Sequence, residues 1–277
     1  IFNNGNIDFN SLEKALRSPQ KMAFIQRSCG YSWRPSLSIE NIRDICKLIH
    51  DIQPKCICFV DNCYGEFVEE IEPTEVGADL IAGSLIKNPG GTIVPTGGYI
   101  AGKSSLVDMA CCRLTAPGIG SQAGSGFNLH RLVLQGLFLS PQMVSESLIG
   151  AEIISGVFHE LGFQVKPLPG ELRGDLIQAI CFGNVDALKI VCRSFQASSP
   201  VNSYLRPEPA EMPGYESDLI MAGGTFIDGS TSEFSADAPL RPPVSYTHLR
   251  AHETLRYLVF RILLEKKRGG GGGGGGG

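Results

Sequence analysis

No apolar run among the 277 residues approaches the roughly 20 that a membrane span needs, so no spanning segment is expected. No basic-then-apolar leader follows Ile1, and the start reads as that of a fragment. The nine cysteines are odd in number and contain no CxxC pair. That argues against a disulfide framework and against a zinc site. Several lie inside apolar runs, where a free thiol behaves as a small hydrophobe. A reduced, cytoplasmic protein is the expectation. Charge is also nearly balanced, with a formal net of −4. What remains is an ordinary globular composition, 43% hydrophobic, enough for one large or two modest domains.

The character of the chain changes at Val244. Val244-Ser245-Tyr246-Thr247-His248-Leu249-Arg250-Ala251-His252-Glu253-Thr254 reads like one frame of a transposase-type sequencing adapter, and Leu258 to Arg268 resembles its continuation. The run Gly269 to Gly277 matches the poly-G written when sequencing signal ends. The rival reading, a basic amphipathic helix with a flexible linker, must explain both matches by chance. Residues 244–277 are therefore expected to be a non-native tail outside the fold. It carries six Lys/Arg and two Asp/Glu, which leaves residues 1–243 with a net of −8. An acidic body argues against nucleic acid as a partner.

Two stretches stand out in what is left. Cys56-Ile57-Cys58-Phe59-Val60 stops at Asp61, and Asp79-Leu80-Ile81-Ala82-Gly83-Ser84 runs on to Leu85-Ile86-Lys87. Each has the length and composition of a strand buried on both faces. In open α/β sheets ligands sit at the carboxyl ends of strands. An Asp at one such end and a Lys just past another suit pyridoxal 5'-phosphate. The amine forms a Schiff base with the cofactor aldehyde, and the carboxylate keeps the pyridine nitrogen protonated.

Other segments supply the frame. Leu12 to Leu16 is predicted as a helix capped near Asn10-Ser11, Lys21 to Gln26 as a buried strand, and Ser38 to His50 as a helix with Ile42, Ile45, Cys46 and Ile49 inward. Arg27 and Arg34 could bind an anion or be structural. Glu66, Glu69, Glu70, Glu72 and Glu75 read as a solvated acidic loop, with no His among them to suggest a metal. Phe127 to Leu161 reads as helix interrupted at Ser140-Pro141. Phe163 to Pro167, Asp175 to Ile180 and Leu219 to Ile227 read as strands, and Asn184 to Phe195 as a helix. The strand–helix alternation predicts α/β with a mostly parallel sheet.

Gly97-Gly98-Tyr99-Ile100-Ala101-Gly102-Lys103-Ser104 fits the phosphate-loop pattern letter for letter and supplies a nucleotide-binding alternative. Its middle looks like strand, however, and Pro95 breaks the segment upstream. Gly118 to Ala123 fits a dinucleotide-type pattern but follows a helical stretch.

The blocks Val60-Asp61-Asn62-Cys63-Tyr64-Gly65-Glu66-Phe67, Gly77 to Gly91 and Gly97 to Gly102 resemble the methionine gamma-lyase-like family, also labelled aluminium resistance or cystathionine beta-lyase-like proteins. The resemblance continues through Ser199 to Tyr204 and Glu208 to Tyr215. It implies a fold-type I pyridoxal phosphate-dependent transferase-like architecture, truncated at both ends. Residues 1–125 would be the remainder of a mostly parallel cofactor-binding domain, and 126–243 a smaller α/β domain. Lys87 would be the Schiff-base lysine, Asp61 the pyridine partner, Tyr64 a donor to the ring hydroxyl and Ser84 a phosphate ligand. Arg241, or alternatively Arg206, would take the substrate carboxylate. The implied reaction is elimination of a thiol from a sulfur-containing amino acid, in a homodimer or homotetramer. A catalytically inert relative is a further alternative. The phosphate loop and a ring-stacking aromatic would lie upstream of Ile1, so this chain is expected to bind the cofactor poorly and to be inactive by itself.

Overall fold

The computed structural model describes residues 2–3, 5–124, 126–230 and 233–240, together with the backbone of 246–250. A two-stranded ribbon, β1 (Phe2–Asn3) and β2 (Asn6–Ile7), leads into α1 (Phe9–Ala15). The cap of α1 is Asp8, whose carboxylate accepts from Ser11 N at 2.9 Å, rather than the Asn10-Ser11 pair expected. The first sheet follows: β3 (Met22–Gln26), β4 (Ile57–Asp61), β5 (Leu80–Ser84) and β6 (Gly98–Gly102), in that spatial order. β3, β4 and β5 are parallel, with Gln26 opposite Asp61 and Asp61 opposite Ala82. β6 closes the edge antiparallel, with Ser84 opposite Gly98.

The crossover between β3 and β4 is α2 (Ile39–Ile52). Ser38 Oγ accepts from Asn41 N and Asn41 Oδ1 accepts from Ser38 N, both at 3.2 Å, a reciprocal cap for two otherwise orphaned amides. Ile39, Ile42, Ile45, Cys46 and Ile49 recur every three or four residues and are buried with Cys58 and Val60 of β4. The expectation that these strands are buried on both faces is corrected. Cys58 and Val60 face the helix and are fully buried, whereas Phe24, 62% exposed, meets Phe59 with ring centroids 5.4 Å apart and planes tilted. Successive side chains point to opposite faces, so a sheet covered by one helix layer keeps one row dry.

Beyond β6 come α3 (Ser104–Leu114) and α4 (His130–Glu160). The interruption expected at Ser140-Pro141 does not occur. Pro141 lies inside a continuous 31-residue helix, and Ser140 Oγ donates to Gly136 O at 2.6 Å. The buried face of α4 is a row of mostly small residues, Gly136, Ser140, Val144, Ser147, Ala151 and Ser155. By length and composition alone this helix could cross a membrane. Gln135, Ser140-Pro141-Gln142, Ser145-Glu146-Ser147 and Glu152 break its apolar run, which is why no such segment stood out in the sequence. In the fold it packs its small-residue face on the turn after β5 and on the second sheet.

That second sheet contains β7 (Gln164–Lys166), β8 (Gln178–Cys181), β9 (Leu219–Gly223), β10 (Ser235–Pro239) and β11 (Tyr246–Arg250). Its order is β7-β8-β11-β10-β9, and every neighbour is antiparallel. The helix α5 (Val185–Ser198), capped by Asn184 Oδ1 accepting from Ala187 N at 2.7 Å, lies between β8 and β9 in sequence. Ile154 of α4 and Leu188, Cys192 and Phe195 of α5 form the second core with Ile180, Ile220 and Ala236. Helix–strand alternation is thus present, but it joins strands that are not neighbours and yields no parallel pair. The placing of residues 244 onward outside the fold does not hold for Tyr246–Arg250. β8 and β10 present facing rows of backbone donors and acceptors, and this segment, antiparallel to each of them, pairs with both.

Candidate active site

Because β4 and β5 are parallel neighbours, their carboxyl ends lie at one edge of the sheet, and both candidate groups emerge there. β4 ends at Asp61. Its Oδ1 accepts from Cys63 N at 3.2 Å, while Asn62 N donates to Ala82 O at 2.9 Å. The side-chain bond turns the chain locally, as Asp does at turns. Tyr64 follows in the left-handed region at φ 72°, a conformation that costs a non-glycine residue energy and recurs at functional sites. β5 ends at Ser84, whose carbonyl accepts from Lys87 N at 3.2 Å, so the chain doubles back immediately. Lys87 Nζ then lies 5.0 Å from the Tyr64 ring centroid and donates to Gly229 O at 2.7 Å.

A cavity of about 490 Å³ opens beside this edge. Asp61, Cys63 and Tyr64 line it from β4 and its turn; Ile177, Tyr215 and Asp237 line it from the second half of the chain. Lys87 and Ser84 are not on its wall. Lys87 reaches the site through the Tyr64 ring, and Ser84 stays at the strand end beneath the turn. Arg241 lies outside the described residues. Arg206 is exposed beside Glu208, at 3.8 Å, and does not line the cavity.

The two arginines considered for an anion are structural. Arg27 is fully buried, donating to Asn62 Oδ1 at 2.8 Å and Glu69 Oε1 at 3.0 Å, with Glu72 at 3.6 Å. Arg34 donates to Ser28 O at 2.6 Å and Pro35 O at 2.8 Å, which folds the 28–35 loop over the cavity. The glutamates expected to be solvated are in part the counter-charges of this core: Glu69 also accepts from Ile39 N, and Glu72 from Asn62 Nδ2. Glu66 is buried, accepting from Tyr99 OH at 2.9 Å.

Thiol chemistry is disfavoured here. Burial, followed by the Asp61 carboxylate, pushes the Cys63 thiol up to about 12. Burial, followed by Asp175, pushes Cys29 higher still. Neither is a thiolate near neutrality. Asp175, buried, accepts from Ser28 Oγ at 2.8 Å and from Ile177 N at 3.0 Å, and so ties the loop after β3 to the entrance of β8.

Two rival sites resolve into structure. Gly98–Gly102 is strand β6, and Lys103 beyond it pairs with Asp79, so the phosphate-loop pattern forms no cradle of backbone amides. His50, Cys58 and Asp79 bring three ligand-type atoms within 4.8 Å of one another. Asp79 is already engaged there: it accepts from Cys58 N at 2.7 Å, from His50 Nε2 at 3.0 Å and from Lys103. His50, the basic residue in the last turn of α2, is part of this cluster.

What the sequence did not show is Tyr31, Tyr215 and Asp237. Tyr31 OH donates to Asp237 Oδ2 at 2.8 Å across 206 positions, and the two tyrosine rings meet edge-on at 5.5 Å. No local pattern marks such a contact. A hydrogen-bonded carboxylate on the cavity wall and an amine 5.0 Å from a lining aromatic are among the groups pyridoxal phosphate requires, and these residues fit it.

A profile of the methionine gamma-lyase family matches residues 1–262. The chain belongs to the methionine gamma-lyase family. Within it, the chain is 45% identical to a Listeria innocua protein of known crystal structure, provisionally named a cystathionine beta-lyase involved in aluminium resistance. That match covers 95% of this chain and 65% of the other, with a TM-score of 0.89. A Clostridium novyi NT structure named as a carbon-sulfur lyase involved in aluminium resistance is 42% identical, with a TM-score of 0.86 over 96% of this chain and 62% of the other. The uncharacterised protein YnbB of Bacillus subtilis is 45% identical over 254 residues, 89% of this chain and 60% of that one. The methionine gamma-lyase family chain thus spans about three fifths of these relatives' length. Its fold is also that of a Thermus thermophilus aspartate aminotransferase, at 15% identity and a TM-score of 0.54 over 92% of this chain and 67% of the other.

Proposed function

We propose that the chain is part of a pyridoxal phosphate-dependent carbon–sulfur lyase acting on a sulfur-containing amino acid, and that the full-length protein works in the cytoplasm as a homodimer or homotetramer. The observation that carries this reading is the shared edge: Asp61 and Tyr64 line one cavity, and the Lys87 amine sits over the Tyr64 ring. Lys87 would hold the cofactor and move the proton at the substrate Cα. Asp61, with one oxygen already fixed by Cys63 N, would face the pyridine nitrogen. Tyr64 would donate to the ring hydroxyl and Ser84 would meet the phosphate. Pyridoxal phosphate, when bound, supplies the electron sink that lets a thiol leave from the neighbouring carbon. The loop that Arg34 and Asp175 hold in place supplies one wall of the site.

The test is chemical trapping. The chain is incubated with excess pyridoxal phosphate, reduced with borohydride and mapped by peptide mass. Lys87 is expected to be modified ahead of the other lysines, and Asp61→Ala to abolish that preference. Modification spread evenly over exposed lysines would refute the assignment.

A further inference from the structure

The amine assigned to the cofactor is held by the other half of the chain. Lys87 Nζ donates to Gly229 O at 2.7 Å across 142 positions, and it also lies over the Tyr64 ring. Gly229 belongs to segment 224–230, which follows β9 and is pinned along its length. At its start, a Cβ on Gly224 would overlap Ser199 Cβ and Val201 O, so the backbone seats there only as glycine, and Val201 N donates to Gly224 O at 3.2 Å. Farther on, Phe226 N and Ile227 N donate to separate oxygens of Glu233, at 2.8 Å and 3.4 Å. Glu233 is buried, and Ser230 N closes the turn on Ile227 O at 3.0 Å. The tip passes through Gly229 at φ 78°, where an added Cβ would come within 3.2 Å of Ile86 Cδ1. Segment 224–230 therefore meets Ile86 by packing and Lys87 by a hydrogen bond.

A carbonyl oxygen and a ring face both favour an ammonium over a neutral amine. Bonding to an aldehyde needs the nitrogen lone pair. The ammonium gives a proton to solvent, the nitrogen attacks the carbonyl carbon, and water leaves. The hold of Gly229 O has to loosen before that nitrogen can react. We propose that Glu233 is a positioning residue for Lys87: by fixing segment 224–230 it keeps Gly229 O on the ammonium and restrains the amine. The proposal rests on the lyase reading, in which Lys87 is the reacting group. A free small aldehyde gains nothing from the cavity to offset this restraint, whereas the cofactor would.

Reductive methylation of the full chain measures the restraint without the cofactor. Formaldehyde condenses with a neutral amine and loses water, cyanoborohydride delivers hydride to the new carbon, and the rate at each lysine is read by peptide mass. Glu233→Ala is expected to raise the Lys87 rate about threefold or more, the lower range of one hydrogen bond. Lys47 and Lys55, both exposed, should keep their rates. Glu233→Gln retains one acceptor oxygen and should fall between the two. An unchanged or slower Lys87 in Glu233→Ala, or a rise shared by all three lysines, would overturn the proposal. Should Glu233→Ala fail to fold, Gly229→Ala decides. Its methyl meets Ile86 and its left-handed backbone opposes a side chain, so the tip moves and Lys87 should again react faster. An unchanged rate there counts against the proposal. The outcome is separable from the lyase assignment. Faster methylation in the variants without selective pyridoxal phosphate trapping of Lys87 keeps the restraint and removes the lyase reading; selective trapping with unchanged methylation does the reverse.

Discussion

Glu66 shows what burial does to a single carboxyl group. Its Oε1 accepts from Tyr99 OH, its Oε2 has no hydrogen-bond partner among the described residues, and burial pushes its pKa up to about 8. The unfolded chain releases that proton near the ordinary value of 4.5. Between the two values the unfolded state has lost a proton that the folded state keeps, so stability falls as pH rises, at roughly 1.4 kcal/mol per unit. Above the folded value the slope vanishes. Glu66→Gln, which copies the neutral acid, is expected to flatten the decline between about pH 5 and pH 8 in urea midpoints. An unchanged slope would mean that the ionised form is accommodated.

Asp79 has the opposite sign. Burial pushes it up, but the bonds from Lys103, Cys58 N and His50 outweigh that and hold it below the usual carboxylate range. Its contribution is complete above the unfolded value of 3.8 and is lost as pH falls through the lower folded value. Asp79→Ala leaves Cys58 N unpaired in the core and should cost about 2 kcal/mol in chemical denaturation at neutral pH. At this scale the sequence showed the groups that end strands, Asp61 and Lys87, because a polar residue closing an apolar run is a local signal. It could not show Tyr31 meeting Asp237, or Arg27 drawing Glu69 and Glu72 inward, because those depend on chain segments packed from far apart.

Among the elements, α2 was legible nearly to the residue. Its cap, its period and its buried isoleucines all say the same thing, and such agreement is what makes a segment readable. Ser38→Ala removes the acceptor for Asn41 N and should cost about 1 kcal/mol, with faster amide exchange confined to the first turn of α2. β10 was missed because Ser235-Ala236-Asp237-Ala238-Pro239 has no β-branched or aromatic residue, and two alanines suffice only where neighbouring strands already define the row. α4 was split at Pro141 by a rule for isolated helices. Here Gly136 and Ser140 before it and Val144 and Ser147 after it are buried, and that packed face holds the turn that lost its amide bond.

For the molecule as a whole, the first sheet and its parallel order followed from strand–helix–strand alternation, whereas the antiparallel second sheet did not. Alternation in sequence says nothing about which strands become neighbours. β11 is the sharpest case: five residues set aside for their likeness to a translated sequencing adapter pair with two strands at once. A chain ending at residue 243 should therefore show faster hydrogen exchange along β8 and β10 than along β3 and β4. Equal protection in all four strands would show that the pairing with β11 contributes nothing.

The backbone of α4 touches the chain just past Lys87 so closely that a side chain at Gly136 would run into Gly90 O at 2.5 Å. From that point the helix continues without a break to Ile154, in the interior of the other half. At 1.5 Å per residue the two points lie about 27 Å apart along a single rod. One point is a fulcrum against the turn that follows Lys87 and the other is embedded in distant packing. A shift in the seat of that far end has a stiff path along which to tilt the amine.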